Sequence, residues 1–418
     1  MGGAYRTRIV DEELQARLRS AGAVLIEGPK ACGKTATAQR VAATAFRVDV
    51  DEGVQALIST APEALFASPT PILFDEWQVT PKLWNLVRRE VDDRAPNRGQ
   101  FILTGSATPN DGVDRHTGAG RFSTLRMRPM SLFETGDSTG TVSLRALFDD
   151  DFSPSMDPGV GVPRLVDRMV IGGWPDLLDA PVLDAQQRMR DYLDTIVEVD
   201  IPQLGVRRDT QNLRRLLTAL GRGVGTEVTI KALAADVGGA SGPADRDTIS
   251  AYLTALDRLM LIENVPAWAP HMRSSTPLRK SATRFMTDPS LGIAALGVGP
   301  GQLLADLNAA GFHFEALIVR DLRVYAQPLG GRLAHWRDSN GNEVDLVVTL
   351  DDGRWGALEV KMNPDHADAA AAALLRFRDK VDTTRVGEPA FLGVVTTRAA
   401  AVRRKDGVLV IPAAALGP

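Results

Sequence analysis

The string Gly28-Pro29-Lys30-Ala31-Cys32-Gly33-Lys34-Thr35 constrains this chain more than any other feature. It fits G-x-x-x-x-G-K-[ST], a pattern that does its chemistry only at the turn between a buried strand and a helix. The apolar run Ala23–Ile26 stands before it and helix-like residues follow it, so that context is met. Gly28 and Gly33 permit a turn whose backbone N–H groups converge on phosphate, at a helix N-terminus whose dipole also favours an anion. Lys34 adds positive charge at the β- and γ-phosphates, and the Thr35 hydroxyl is suited to coordinate magnesium. The expected nucleotide-binding residues are therefore Gly28, Pro29, Lys30, Ala31, Cys32, Gly33, Lys34, Thr35 and Ala36, with ATP and Mg2+ as cofactors. No Asn-Lys-x-Asp string is present to read guanine. A lysine at this place carries weight, because only about eight of the 48 Lys and Arg residues are lysine. Cys32 reads as a small spacer and as a chemical handle on the loop.

Residues 22–145 alternate short apolar runs with helix-like stretches, the pattern of a parallel sheet covered by helices. The runs are Ala23–Ile26, Phe46–Val50, Ile72–Phe74 and Phe101–Leu103. Pro71-Ile72-Leu73-Phe74-Asp75-Glu76 reads as a buried strand ending in two carboxylates, where ligands sit in such sheets. Asp75 is expected to hold magnesium through water, and Glu76 to polarise the attacking water as general base. Thr104, ahead of Ser106, is the candidate for sensing the γ-phosphate at the end of the Phe101 strand. Arg121 reads either as an arginine finger that stabilises transition-state charge or as a surface arginine.

At 418 residues the chain should divide into two or three domains. No apolar run is long enough to span a bilayer, and residues 1–11 contain no export signal, so the expectation is a cytoplasmic protein with no membrane partner. One cysteine excludes a disulfide framework and a cysteine-rich zinc site. A net charge of -4 argues against the whole molecule being a nucleic-acid binder while leaving room for a local basic face. A stretch rich in Gly, Asp, Ser and Pro from 136 to 163 reads as a connection, and 163–200 as a helical lid or linker. From 208 to 268 come three helical patterns and a short strand, the order of a winged helix, with a plain helical packing domain as the alternative.

Farther along, Val344, Leu346 and Val348 alternate, Asp351-Asp352-Gly353 makes a turn, and Leu358 and Val360 continue the alternation. A hairpin centred near Asp352 opposes Leu346 to Leu358 and Asp345 to Glu359, with the apolar residues on one face. The two carboxylates would then have Cβ atoms about 5 Å apart, with Lys361 on the same side. Opposed like charges need compensation, which a divalent cation would supply while Lys361 positions or activates water at a phosphodiester. Glu315, in the helical run Phe314, Leu317, Ile318 and Leu322, is a further ligand candidate. The alternative is an exposed hairpin carrying one acid and a Glu/Lys pair. Arg337 and Asp338 form either a local ion pair or, through the arginine, a phosphate contact.

Glu315, Asp345 and Glu359-Val360-Lys361 resemble the PD-(D/E)xK, restriction-endonuclease-like nucleases. With the P-loop, Leu73-Phe74-Asp75-Glu76, Leu103-Thr104-Gly105-Ser106 and the Gly172-Gly173-Trp174-Pro175 turn, the chain resembles a prokaryotic family of AAA-like P-loop ATPases with a C-terminal domain of unknown function. That resemblance implies an α/β fold in four parts: an ATPase domain (1–145), a linker and helical lid (146–205), a winged-helix-like domain (206–270) and a restriction-endonuclease-like domain (271–418). It also implies a homo-oligomer in which a neighbouring subunit supplies Arg121. Two functional readings follow: an ATPase whose cycle controls a nucleic-acid-directed, nucleolytic C-terminal domain with DNA as candidate partner, and a non-nucleolytic regulatory ATPase that binds DNA or a protein.

Overall fold

Ala23–Glu27, Ile72–Asp75 and Phe101–Gly105 are buried along nearly their whole length, as strands must be when helices cover both faces of a parallel sheet. A computed structural model describes residues 5–106, 117–205, 209–269 and 282–418. It divides into two units, one of residues 1–129 with 255–260, the other of 130–254 with 261–418.

In the first unit β1 (Ala23–Glu27), β2 (Thr44–Arg47), β3 (Ile72–Asp75), β4 (Phe101–Gly105) and β5 (Phe122–Arg126) form one parallel sheet in the order β2-β3-β4-β1-β5. Three of the four apolar runs correspond to central strands and Phe46–Val50 overlaps the edge strand β2. The other edge strand, β5, escapes apolar counting because most of its residues are only part-covered. The order matters for chemistry: β1 lies between β4 and β5, and β3 beside β4, so the ends of β1, β3 and β4 form one rim. Two helices frame it, α1 (Val10–Ser20) before β1 and α2 (Lys34–Gln39) directly after the glycine-rich turn. A third, α3 (Lys82–Asp93), turns Leu83, Trp84, Val87 and Val91 inward and joins the core built on Phe66, Phe74, Trp77 and Phe101.

The second unit begins at Met130, inside the segment expected to close the ATPase domain at 145. The physical reason lies in its partners. The Leu132 N–H donates to Asp321 (3.1 Å) and that of Phe133 to Tyr325 (3.3 Å), and β6 (Val142–Ser143) pairs with a strand near the end of the chain. Helices α4 (Val162–Ile171), α5 (Val182–Thr195), α6 (Thr210–Arg222) and α9 (Pro289–Leu296) pack on one another. The expected boundaries at 206 and 271 lie outside the described residues. Gly221 of α6 lies against the backbone of Gly292 in α9, where a Cβ would come to 2.6 Å of a carbonyl oxygen. Between them in sequence come α7 (Ile230–Gly238), α8 (Arg246–Arg258) and the antiparallel pair β7 (Ile262–Val265) and β8 (Thr283–Met286).

The long helix α10 (Leu307–Ala326) leads into a mixed six-stranded sheet. Its strands are β9 (Arg332–Arg337), β10 (Glu343–Thr349), β11 (Trp355–Lys361), β12 (Leu392–Thr396), β13 (Val402–Arg403) and β14 (Leu409–Pro412), in the order β13-β14-β12-β11-β10-β9. The partner of β6 is β15 (Leu416–Gly417). Helix α11 (Ala367–Lys380) covers the sheet with Ala371, Leu374 and Phe377 against Val347, Trp355, Ala357 and Val394. Among the described residues no helix is long and apolar enough to cross a membrane.

Candidate functional site

The glycine-rich turn sits between β1 and α2, with Gly33 (φ 101°) and Ala31 (φ 62°) both left-handed. Gly28 has no alternative, since a Cβ there would lie 2.3 Å from the carbonyl oxygen of Met127. Lys34 is buried and its Nζ donates to the carbonyls of Gly28 and Pro29, each at 2.9 Å. Thr35 Oγ1 donates to Asp75 Oδ1 at 2.8 Å, so the hydroxyl after the loop and the carboxylate at the end of β3 are in contact. Thr104 Oγ1 donates to the same oxygen and is wholly buried. It stands behind Asp75, and Ser106, two residues on, reaches Glu76 instead, Oγ to Oε1 at 3.1 Å. Glu76 follows β3 in the left-handed region (φ 53°, ψ 43°), which costs a non-glycine residue roughly 1–3 kcal/mol. Its other oxygen, Oε2, accepts from Gln78 Nε2.

Lys30 and Ala36 are exposed at the two sides of the loop. Cys32 is fully buried, with Sγ 3.9 Å from the Met127 carbonyl, which removes it as a handle open to reagents. Arg121 stands just before β5, beside Ala23 at the start of β1, and pairs with Asp92 at 2.8 Å. The loop leaves the other end of β1, about 13 Å away at ~3.3 Å per residue. Within one copy Arg121 is thus a surface arginine, and finger chemistry would require a second copy.

Two participants have no motif in the sequence. Arg8 is buried and donates to the carbonyls of Cys32 (2.9 Å) and Arg128 (2.8 Å), tying the loop to the exit of β5. Gln78 holds Glu76. The only signal for Gln78 is its place two residues after the second carboxylate; Arg8 has none, because its partners lie 24 and 120 residues away.

In the second unit Leu346 lies opposite Leu358, the register that reflection about the turn predicts. The facing differs from simple alternation. The pairing of β10 with β9 shifts between Val344 and Val347, and both residues join the core under α11 while Leu346 and Val348 are buried outside it. An irregularity of this kind re-aims the side chain beside it, here Asp345. Its Oδ2 accepts from the Val360 N–H (2.8 Å) and from Lys361 Nζ (3.3 Å). Lys361 also lies 2.6 Å from Glu359 Oε2, while Glu359 Oε1 is buried without a hydrogen-bond partner among the described residues.

Asp345 and Lys361 line a cavity of about 880 Å³ together with Glu315, Phe312, Arg337 and Arg398. Asp338, next to Arg337, binds Lys380 and Asn342. Burial, then the Asp345 charge, push Glu315 well above the usual carboxylate range. The same two causes carry Glu359 up to about 8. Burial opposes the charge on Lys361, yet Asp345 and Glu359 outweigh it and raise the ammonium overall. Among the described residues no three His, Cys, Asp or Glu side chains form a group that could hold a metal ion. Of the expected set, Asp345 and Glu359 both reach the Lys361 ammonium, and Glu315 shares the cavity with Asp345 and feels its charge.

Residues 20–136 match a family model described as an AAA domain. Residues 162–302 match a domain of unknown function (DUF8612), and 310–416 match another (DUF4143). Uncharacterized proteins of Mycobacterium tuberculosis (Rv2008c) and Mycobacterium bovis (Mb2031c) are each 27% identical over 354 residues, covering 83% of this chain and 72% of theirs. Among solved structures, the Walker-type ATPase PABY2304 of Pyrococcus abyssi is similar with a TM-score of 0.41 and 14% identity, over 68% of this chain and 94% of that one. Three family models thus match this chain in succession, an AAA domain and then two domains of unknown function.

Proposed function

We propose that this protein is a magnesium-dependent ATPase whose nucleotide cycle controls a nucleic-acid-directed C-terminal site. The observation that carries the first part is the shared Asp75 oxygen, which accepts from Thr35 at the end of the loop and from Thr104. A hydroxyl and a carboxylate in contact are the oxygen donors that magnesium takes beside a nucleotide. Thr35 would hold the ion directly and Asp75 through water, and the ion would neutralise charge on the β- and γ-phosphates. Lys34 exchanges its two carbonyl acceptors for phosphate oxygens. Glu76 takes a proton from the attacking water as its oxygen bonds to the γ-phosphorus and the bond to the β–γ bridging oxygen breaks, releasing ADP and phosphate.

The C-terminal part rests on Lys361 and Asp345 in one cavity, beside a buried carboxyl oxygen left without a partner. An ammonium next to carboxylates is suited to a phosphodiester, and a nucleolytic outcome would make this an ATP-linked nuclease. The residues do not fit a resident metal as they stand, so no step is assigned to one. The two ion pairs that occupy Lys361, to Glu359 and to Asp345, favour a second reading, a non-nucleolytic regulatory ATPase that binds DNA or a protein. Cleavage of supercoiled and single-stranded DNA with magnesium or manganese, with and without ATP, separates them. ATP-dependent cleavage lost in Asp345→Ala and Lys361→Ala supports the nuclease; no cleavage with intact ATP turnover supports the regulator.

A further inference from the structure

The Glu76 carboxylate lies at the start of a short 3-10 turn, Trp77–Val79, and its backbone leaves β3 in the left-handed region. A glutamate there has three side-chain torsions to settle before it can act on one water at one angle, and a misplaced general base loses rate quickly. Two donors settle them. Gln78 Nε2 binds Oε2 and Ser106 Oγ binds Oε1 at 3.1 Å. Each carboxylate oxygen keeps further lone-pair capacity to accept from water.

Gln78 is itself constrained in a costly way. A carboxylate can only accept, so the amide nitrogen must face Glu76, and Oε1 must face the other way. There it is buried with no hydrogen-bond partner among the described residues. It fits only because residue 105 is glycine: a Cβ on Gly105 would come to 2.7 Å of this oxygen and 3.1 Å of the Trp77 indole nitrogen. A buried carbonyl oxygen left unsatisfied opposes folding, and a native protein that keeps one invites an explanation in function.

We propose that Gln78 is a positioning residue for ATP hydrolysis: it holds the Glu76 carboxylate toward the attacking water, at the expense of its own unsatisfied oxygen, in a space kept open by Gly105. This rests on the reading of Glu76 as general base. The role differs from that of Ser106, which carries its donor on the neighbouring strand's exit, because Gln78 reaches Glu76 from the same turn. Among the described residues the Gln78 amide bonds to Glu76 and not to the glycine-rich loop, so its loss should leave nucleotide affinity alone.

The test uses the full chain and compares wild type, Gln78→Met, Glu76→Gln and the double variant for kcat, KM, ATP affinity and Tm. The expected result for Gln78→Met is a fall in kcat of about tenfold or more, unchanged KM and ATP affinity, and a Tm equal to or above wild type. A residue kept for stability would lower Tm instead. In the Glu76→Gln background, adding Gln78→Met should remove nothing from the residual turnover, because the group it positions is already gone. Gly105→Ala, whose Cβ would press first on the Gln78 amide oxygen and then on the Trp77 indole, should reproduce the kcat loss if Gln78→Met folds poorly. Unchanged or faster turnover in Gln78→Met overturns the proposal, as does a further fall in the double variant or a loss of ATP binding with Tm. Wild-type turnover in Glu76→Gln would instead overturn the general-base reading itself, whatever Gln78 does.

Discussion

In the proposed nucleotide site Lys34, Asp75 and Glu76 would divide the work by their chemistry. Lys34 Nζ rests on two carbonyls 2.9 Å away, a neutral docking that phosphate can replace with a charge-assisted contact. Lys34→Ala should therefore abolish ATP binding, while Glu76→Gln should bind ATP and lose turnover by 100-fold or more, on the order of what a general base supplies. Calorimetric titration with steady-state hydrolysis checks both; turnover surviving in Glu76→Gln would remove that residue from the mechanism. In the other unit Glu359 sets a pH dependence. Its carboxyl is raised to about 8 in the folded chain, above its unfolded value of about 4.3. The folded state thus binds the proton more tightly, and the stability this contributes is complete below about pH 4 and is lost as pH rises through about 8. Thermal denaturation from pH 6 to 9 should show wild type losing stability with a steeper slope than Glu359→Gln. Equal slopes would mean that burial does not hold this carboxyl protonated.

At the scale of elements, the sheet of the second unit is anchored by one aromatic group on α11. Phe377 meets Trp268, Trp336 and Trp355 at ring-centroid distances of 5.7, 4.8 and 5.8 Å, joining β9 and β11 to the helix. Removing that ring should cost about 3–5 kcal/mol, the usual range for Phe→Ala in a core. Urea unfolding followed by tryptophan fluorescence should show Phe377→Ala with a lower midpoint and an altered native spectrum, and an unchanged midpoint would mean that the helix docks elsewhere. The neighbouring hairpin shows what local pattern can and cannot carry. Its register follows from a turn and two alternating runs, all within about 20 residues, and Leu346 does face Leu358. Its facing depends on β9, whose pairing shifts between Val344 and Val347, and nothing in the hairpin's own residues announces that shift. The edge strand β5 was equally illegible, since a half-covered strand lacks the apolar run that marks its neighbours.

For the molecule as a whole, the placement of Arg121 makes assembly the open variable. It lies at the start of β5 against Asp92, at the opposite end of the sheet from its own P-loop, so within one copy it cannot stabilise charge on the γ-phosphate. If a neighbouring copy uses it, Arg121→Ala and Glu76→Gln are each defective for different reasons and can complement. A mixture pairs an intact Arg121 from one variant with an intact Glu76 from the other, and turnover should rise above that of either alone. No recovery at any ratio would leave Arg121 as a surface residue. The net charge of -4 bears on the C-terminal site at this scale as well. Any DNA binding has to come from a local group such as Arg337, Lys361 and Arg398, with a correspondingly shallow dependence on salt.

What the sequence determined by itself was whatever chemistry is written in contiguous residues. A loop whose glycines, lysine and threonine are neighbours along the chain, a strand ending in two acids, and a hairpin with its register are local objects, and their spacing alone constrains their geometry. Tertiary structure decided the rest, because strand order in a parallel sheet is set by packing rather than by proximity in sequence. That order brings Thr104 onto the Asp75 oxygen and Ser106 onto Glu76, and it sends Arg121 to the far end. The same reason hides Arg8 behind the loop and places Glu315 beside Asp345, 30 residues on in the chain. Side chains that meet only when separate elements pack leave no periodicity or motif for the sequence to show.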